Sequence, residues 1–336
     1  MEASRWVCGD RQGTLNPTPE PASKAANAEA SNLIAKLSNA KIDVSTFGIL
    51  NWPLIDVVYS IEVESERAED TWLKLRNISI DTGYWPVIVN NIDELEGLVE
   101  NISCHLEFDT TSRTWSPRKT AYHSSTEFVI DETDKISQTI RELRQIQGDS
   151  EPLDLNGNGV VKPAPQDLIV TGEKVNLDKW LHLKKALISE FNIDEENMPW
   201  PTEVEPDNNL QALLTWDPEL GLRQTESVFI LLVRAEYSWD VPAKLLYGGW
   251  NECPVPQIHV AFLKRWYGLH DAEIISIGRA TIELVVSKPP KDRDQAFKIA
   301  QEQYLYCPDT VEQGAGSVTA LAAELLKGRV WHFWWD

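Results

Sequence analysis

The chain is 336 residues long, 42% hydrophobic and 25% charged, with a formal net charge of −21. That length and apolar content allow a substantial folded core and exclude wholesale disorder, and no apolar run reaches the roughly 18 residues that a membrane helix needs. The acidity argues against nucleic acid or an anionic membrane as ligand, since both carry the same sign, and suits a basic protein partner or plain solubility.

Residues 1–25, with Pro17, Pro19 and Pro21 among small polar residues, read as a disordered arm. Met1 to Ala30 lacks the basic start and apolar core of a secretory signal, and Cys8, Cys104, Cys253 and Cys307 are too few and too scattered for a disulfide framework. The cytoplasm is the expected location. A helix is predicted over residues 26–37, where Leu33, Ile34 and Leu37 recur at helical spacing, and short strands near 44–50 and 57–63. Residues 66–78 read as an amphipathic helix carrying Trp72 and Leu75, broken at Asp81-Thr82-Gly83 before a strand at 84–89. Strand, helix, strand in so short a span predicts a crossover with parallel pairing of its two strands. Helices are predicted at 92–101 and 132–147.

Residues 148–172 read as a linker, with Pro152, Pro163 and Pro165 among Gly and Asn; a helix at 177–191 and an acidic, proline-rich loop at 192–209 follow. A strand at 227–235 leads into Tyr247-Gly248-Gly249-Trp250. Pro254 and Pro256 set up a helix at 257–267, because proline suits a first helical turn. Strands at 273–277 and 281–287 flank a Gly278-Arg279 turn and pair as a hairpin. A helix at 291–306 stops at Pro308, Ser317 caps a last helix to about 326, and residues 330–335 form a terminal strand.

The expected fold is α+β (mixed α/β), with mixed sheets flanked by helices. It is organised as an N-terminal α/β region (26–147), a Pro/Gly/acidic linker region with a helix (148–226) and a C-terminal α+β domain (227–336). Net charge is −10 over residues 1–150, −9 over 151–250 and −2 over 251–336, so the acidity lies outside the C-terminal region.

Asp154, Asn156, Asn158 and Gly159 match the front half of a calcium loop, but position 12 is Pro165 where a bidentate Glu is required, so a turn-rich linker is the better reading. Gly248-Gly249 lacks the following residues of a phosphate loop. No hydrolase, zinc-protease or kinase signature is present, and no metal or cofactor is expected. The chemistry-bearing residues sit around two Cys-Pro dipeptides. Cys253 falls just ahead of a helix N-terminus, where the dipole favours a thiolate. A nucleophile reading uses Cys253 with His259 or His332 as base and Asp309 as orienter. Trp250, Asn251, Tyr304 and Cys307 are the candidate binding residues around them. The alternatives are that both thiols are core residues, since free cysteine is among the most buried residue types, or that Cys253, Cys307 and a histidine form a metal or redox site, which no CxxC or HxxxH spacing supports.

Four separated motifs then add up. Tyr247-Gly-Gly-Trp-Asn-Glu-Cys253-Pro254, Pro256-Gln-Ile-His259-Val-Ala261, Glu302-Gln-Tyr-Leu-Tyr-Cys307-Pro-Asp309 and Phe333-Trp-Trp-Asp336 occur in this order. This stretch, about residues 227–336, resembles an uncharacterised bacterial domain family of unknown function with GGWNxCP, EQYxYCPD and FWWD signatures. Thr82-Gly-Tyr-Trp-Pro-Val87 is similar to an upstream element found in such proteins. The resemblance implies kinship and no chemistry. Two functions remain open: a non-catalytic cytoplasmic binding protein of immunity or antitoxin type that engages a basic protein, and a small cysteine-dependent enzyme or redox protein using Cys253 with His259 and Asp309.

Overall fold

The computed structural model describes residues 24–50, 52, 57–102, 106–109, 114–117, 135–147, 165–189, 199–202, 216–217, 222–223 and 226–335. In chain order, α1 (Lys24–Asn39) precedes β1 (Gly48–Leu50) and β2 (Val58–Glu64). Then come α2 (Ala68–Asn77), the single turn α3 (Ser79–Thr82), β3 (Tyr84–Val89) and α4 (Ile92–Ile102). A two-stranded ribbon pairs β4 (Leu106–Asp109) with β5 (Thr114–Pro117), followed by α5 (Lys135–Gln147), α6 (Pro165–Lys174) and α7 (Leu177–Ser189). A second small ribbon pairs β6 (Trp216–Asp217) with β7 (Leu222–Arg223). The remainder is β8 (Ser227–Arg234), α8 (Val241–Leu245), α9 (Pro256–His270), β9 (Ala272–Ile277), β10 (Thr281–Val286), α10 (Arg293–Tyr306), α11 (Val318–Leu325) and β11 (Val330–Trp334).

The architecture is α+β. Seven strands form one mixed sheet in the order β1-β2-β8-β3-β9-β10-β11, and strands from residues 48–89 and from residues 227–334 alternate within it. All neighbours are antiparallel except β3 and β9. The predicted crossover from β2 through α2 to β3 exists, but its two strands do not pair with each other. Both are antiparallel to β8, which lies between them. The sequence of β8 explains why it takes that place. Val228, Ile230, Leu231, Leu232 and Val233 are all buried, so the strand needs cover on both faces and hydrogen bonds on both edges.

Local rules account for much of the C-terminal half. Pro256 opens α9 from the first turn. Asp292 caps α10 by accepting from the Gln295 N–H at 2.8 Å, and Ser317 caps α11 by accepting from the Ala320 N–H at 3.1 Å. The hairpin turn closes through the Gly278 N–H to the Thr281 carbonyl at 2.9 Å. In β9 the register against β10 shifts between Glu283 and Leu284, leaving Ile275 as an extra residue and bringing Ser276 opposite Glu283.

The two faces of the sheet carry different cover. On one, Trp331 and Phe333 pack on Trp266 of α9, with the Trp266 and Phe333 rings stacked at 5.2 Å. On the other, α2 anchors Trp72 through its indole N–H to the Pro86 carbonyl at 2.9 Å. Between α2 and this face lies a recess of about 240 Å³ lined by Trp72, Leu73, Arg76, Glu273, Val285 and Arg329. Arg76 holds Glu273 there with two hydrogen bonds, at 2.9 and 2.8 Å.

The expected linker runs to Gly172, yet residues 165–174 are helical, because Pro165 occupies a first turn where its missing N–H costs nothing. The calcium-like segment at 154–159 lies outside the described residues, as does most of the acidic loop at 192–209. Among the described residues, no helix is long and apolar enough to cross a membrane.

Candidate functional site

The candidate site is assembled where the chain leaves α8 and enters α9. Leu246 takes a left-handed conformation at the end of α8, and Gly248 and Gly249 follow with φ of 102° and 88°. A side chain at Gly248 would overlap the Pro254 carbonyl oxygen and lie 2.6 Å from His259 Nε2, so only glycine fits. The Gly249 N–H then reaches the Pro254 carbonyl at 2.9 Å, and the Cys253 N–H closes a turn on the Trp250 carbonyl at 2.8 Å. This tight loop places Cys253 above the first turn of α9, where His259 points inward.

Cys253 and His259 meet: Sγ lies 3.5 Å from Nε2. The other ring nitrogen, Nδ1, is 2.5 Å from the Tyr306 hydroxyl on α10. The constellation is closed to solvent. Cys253 is 4% exposed and His259 0%, and the imidazole is walled by the rings of Tyr247, Tyr306 and Trp335, each 5.4 Å away. Trp250 is half-buried and packs edge-on against Tyr247 at 4.9 Å. Asn251, next to it, is exposed and left-handed with φ of 45°.

Burial sets the protonation states. It lowers the His259 pKa to about 3, against the smaller opposing effect of a hydrogen bond to the Pro254 carbonyl. It raises the Tyr247 and Tyr306 phenols well above 10, so both remain protonated. A neutral imidazole has one N–H. Its one N–H and one lone pair face the Tyr306 hydroxyl at Nδ1 and the Cys253 thiol at Nε2, and either tautomer leaves both nitrogens partnered.

The other residues singled out in the sequence fall elsewhere. Asp309 is not at Nδ1, since Tyr306 holds that position; its carboxylate accepts from Gln313 Nε2 at 2.9 Å. His332 cannot serve Cys253. It lies on the sheet face away from Trp331 and Phe333, with Nδ1 3.3 Å from Glu283 of β10, whose other oxygen takes the Ser276 hydroxyl at 2.7 Å. Cys307 ends α10 and donates its S–H to the Trp334 carbonyl at 2.9 Å; burial pushes its pKa up to about 12. Tyr304 is buried and donates to Glu312 at 3.1 Å. Among the described residues, no group of three or more His, Cys, Asp or Glu is placed to hold a metal ion. Tyr247, Tyr306 and Trp335 were part of the sequence motifs, but nothing in their spacing reveals that they enclose His259.

The two Cys-Pro segments and the aromatic tail therefore converge on one buried cluster, and the same segment carries a family match. Residues 229–336 match the family described as "Domain of unknown function (DUF4253)". All of the cluster, from Tyr247 to Trp335, lies inside the DUF4253 match, whereas β3, which pairs with both β8 and β9, lies outside it. No curated protein and no solved structure matches the chain.

Proposed function

We propose that this is a non-catalytic cytoplasmic binding protein, of immunity or antitoxin type, that engages a basic protein and neither nucleic acid nor membrane. The observation that supports the reading is the enclosure of Cys253 and His259 among aromatic rings, with the imidazole held neutral by burial. A nucleophile needs access to its substrate, and Cys253, 4% exposed, has little. The net charge of −21 supports attraction of a basic partner, chiefly by speeding encounter. Affinity capture with the full chain, at low and at physiological salt, tests the proposal: recovery of basic proteins is expected, and recovery of none under either condition refutes it.

A second reading is favoured by one distance. Cys253 Sγ and His259 Nε2 at 3.5 Å have the spacing of an unopened thiol–imidazole pair, which a movement of the Trp250 turn would expose for a cysteine-dependent reaction. Alkylation of Cys253 below pH 7 at a rate above that of an ordinary thiol would favour this reading over the first.

A further inference from the structure

The segment after β8 turns outward and carries an aromatic platform. Tyr237 is 42% exposed. One face of its ring lies on Trp239, with centroids 4.2 Å apart and planes within 6°. Trp239 is itself buried and tilts against Tyr267 at 4.8 Å. The exposed ring is thus backed by a fixed indole, which removes the entropic cost of ordering it when something lands on its outer face. Leu269, in the last turn of α9, is 57% exposed.

Carboxylates surround the platform. Glu236 takes the Tyr237 phenol as a hydrogen-bond donor, and Asp240 Oδ2 accepts from the Tyr237 N–H at 3.3 Å. Asp240 is 6% exposed, and its Oδ1 is a buried acceptor with no hydrogen-bond partner among the described residues. Desolvation, reinforced by Glu173 and Glu236, raises its pKa to about 6. The nearby cations compensate only in part: Lys264 is held by Glu173 at 2.7 Å, and Lys244 is itself half-buried with a lowered pKa. A positive charge placed over Tyr237 would meet a ring face and an under-neutralised acidic field together.

We propose that the outer face of Tyr237, backed by Trp239 and flanked by Glu236 and Asp240, is the docking point for an arginine side chain of the basic partner. This rests on the binding-protein reading above. Arginine fits better than lysine because a planar guanidinium stacks on an aromatic face and is weakly hydrated.

The test uses the full chain, a fluorescently labelled arginine-rich octapeptide and its lysine counterpart, with binding followed by anisotropy at physiological salt. Wild type is expected to bind the arginine peptide more tightly than the lysine one. Tyr237→Ala is expected to weaken arginine-peptide binding about three- to tenfold. Tyr237→Phe, which keeps the ring, and Glu100→Gln, an exposed carboxylate on α4, should stay within about twofold of wild type. Equal circular dichroism and urea midpoints for all three variants exclude misfolding. Binding by wild type that Tyr237→Ala leaves unchanged overturns the docking point alone. Absence of binding by wild type to either peptide overturns the basic-partner reading itself.

Discussion

The neutrality of His259 makes the acid stability of this protein predictable. The unfolded chain takes up a proton on this imidazole below about pH 6.5, whereas the native protein does not until about pH 3. Stability therefore falls as the pH drops through that window, by about 1.4 kcal/mol per unit once the unfolded imidazole is charged. Between pH 7 and pH 5 the loss assigned to His259 is about 2 kcal/mol. The perturbation that isolates it is His259→Asn, which removes the titration and keeps a polar side chain. Urea unfolding followed by tryptophan fluorescence, at half-unit steps from pH 7.5 to 4.5, gives both slopes. The variant should be less stable at pH 7 but lose about 2 kcal/mol less than wild type on going to pH 5. Carboxylate contributions are common to both proteins and cancel in the difference. Parallel slopes would refute the argument. They would mean that His259 takes up its proton at about the same pH in the native protein as in the unfolded chain, which an imidazole shut away from water does not do.

Further outcomes follow from the same geometry. Tyr306→Phe deletes the partner of His259 Nδ1 inside a fully enclosed site and should cost about 1–3 kcal/mol in urea unfolding, whereas Tyr304→Phe, whose hydroxyl meets Glu312 near the surface, should cost under about 1 kcal/mol. Gly248→Ala combines a φ of 102° with overlap of the Pro254 carbonyl; a loss of about 2 kcal/mol or more is expected, and an unchanged urea midpoint would contradict the loop geometry. In a Cys8→Ser/Cys104→Ser background, Cys253 and Cys307 should react with a thiol reagent slowly in the native protein and at free-thiol rates in concentrated guanidinium chloride, since both sulfurs are buried. Asp240 has the opposite pH sign to His259: its native pKa of about 6 lies above the unfolded 3.8, so wild type should lose stability relative to Asp240→Asn as pH rises from 4 to 6 and run parallel to it above that.

What the sequence made legible was local. The start of α9, the cap at Ser317 and the hairpin at Gly278-Arg279 each have their cause within a few residues, and the motifs around Cys253 and Cys307 mark the segment that matches a family. The rest depends on partners far away along the chain. The insertion of β8 between β2 and β3 is fixed by the need of an apolar strand for two neighbours, which no window around residues 227–234 identifies. Tyr306 displaces Asp309 from His259 because the last turn of α10 aims one residue inward and the residues after Cys307 lead away from it, a matter of helix phase at a separation of 47 residues. Residue type alone makes His332 and His259 interchangeable as bases; strand alternation puts His332 on the other face of the sheet. Pro165 falls within the expected linker because proline at a first helical turn and proline in a loop look alike until the helix after it is seen.

The place of β8 also dictates an order of events during synthesis. A ribosome that has released β2 and β3 has delivered two strands whose shared neighbour is still untranslated, since β3 ends at Val89 and β8 begins at Ser227. At about 5–20 residues per second, that vacancy lasts on the order of ten seconds. Throughout this interval β3, with its buried Val87-Ile88-Val89, lacks both of its neighbours β8 and β9, and β2 has only β1. The arrival of β8 is what joins the strands of residues 48–89 to those of residues 227–334 in one sheet.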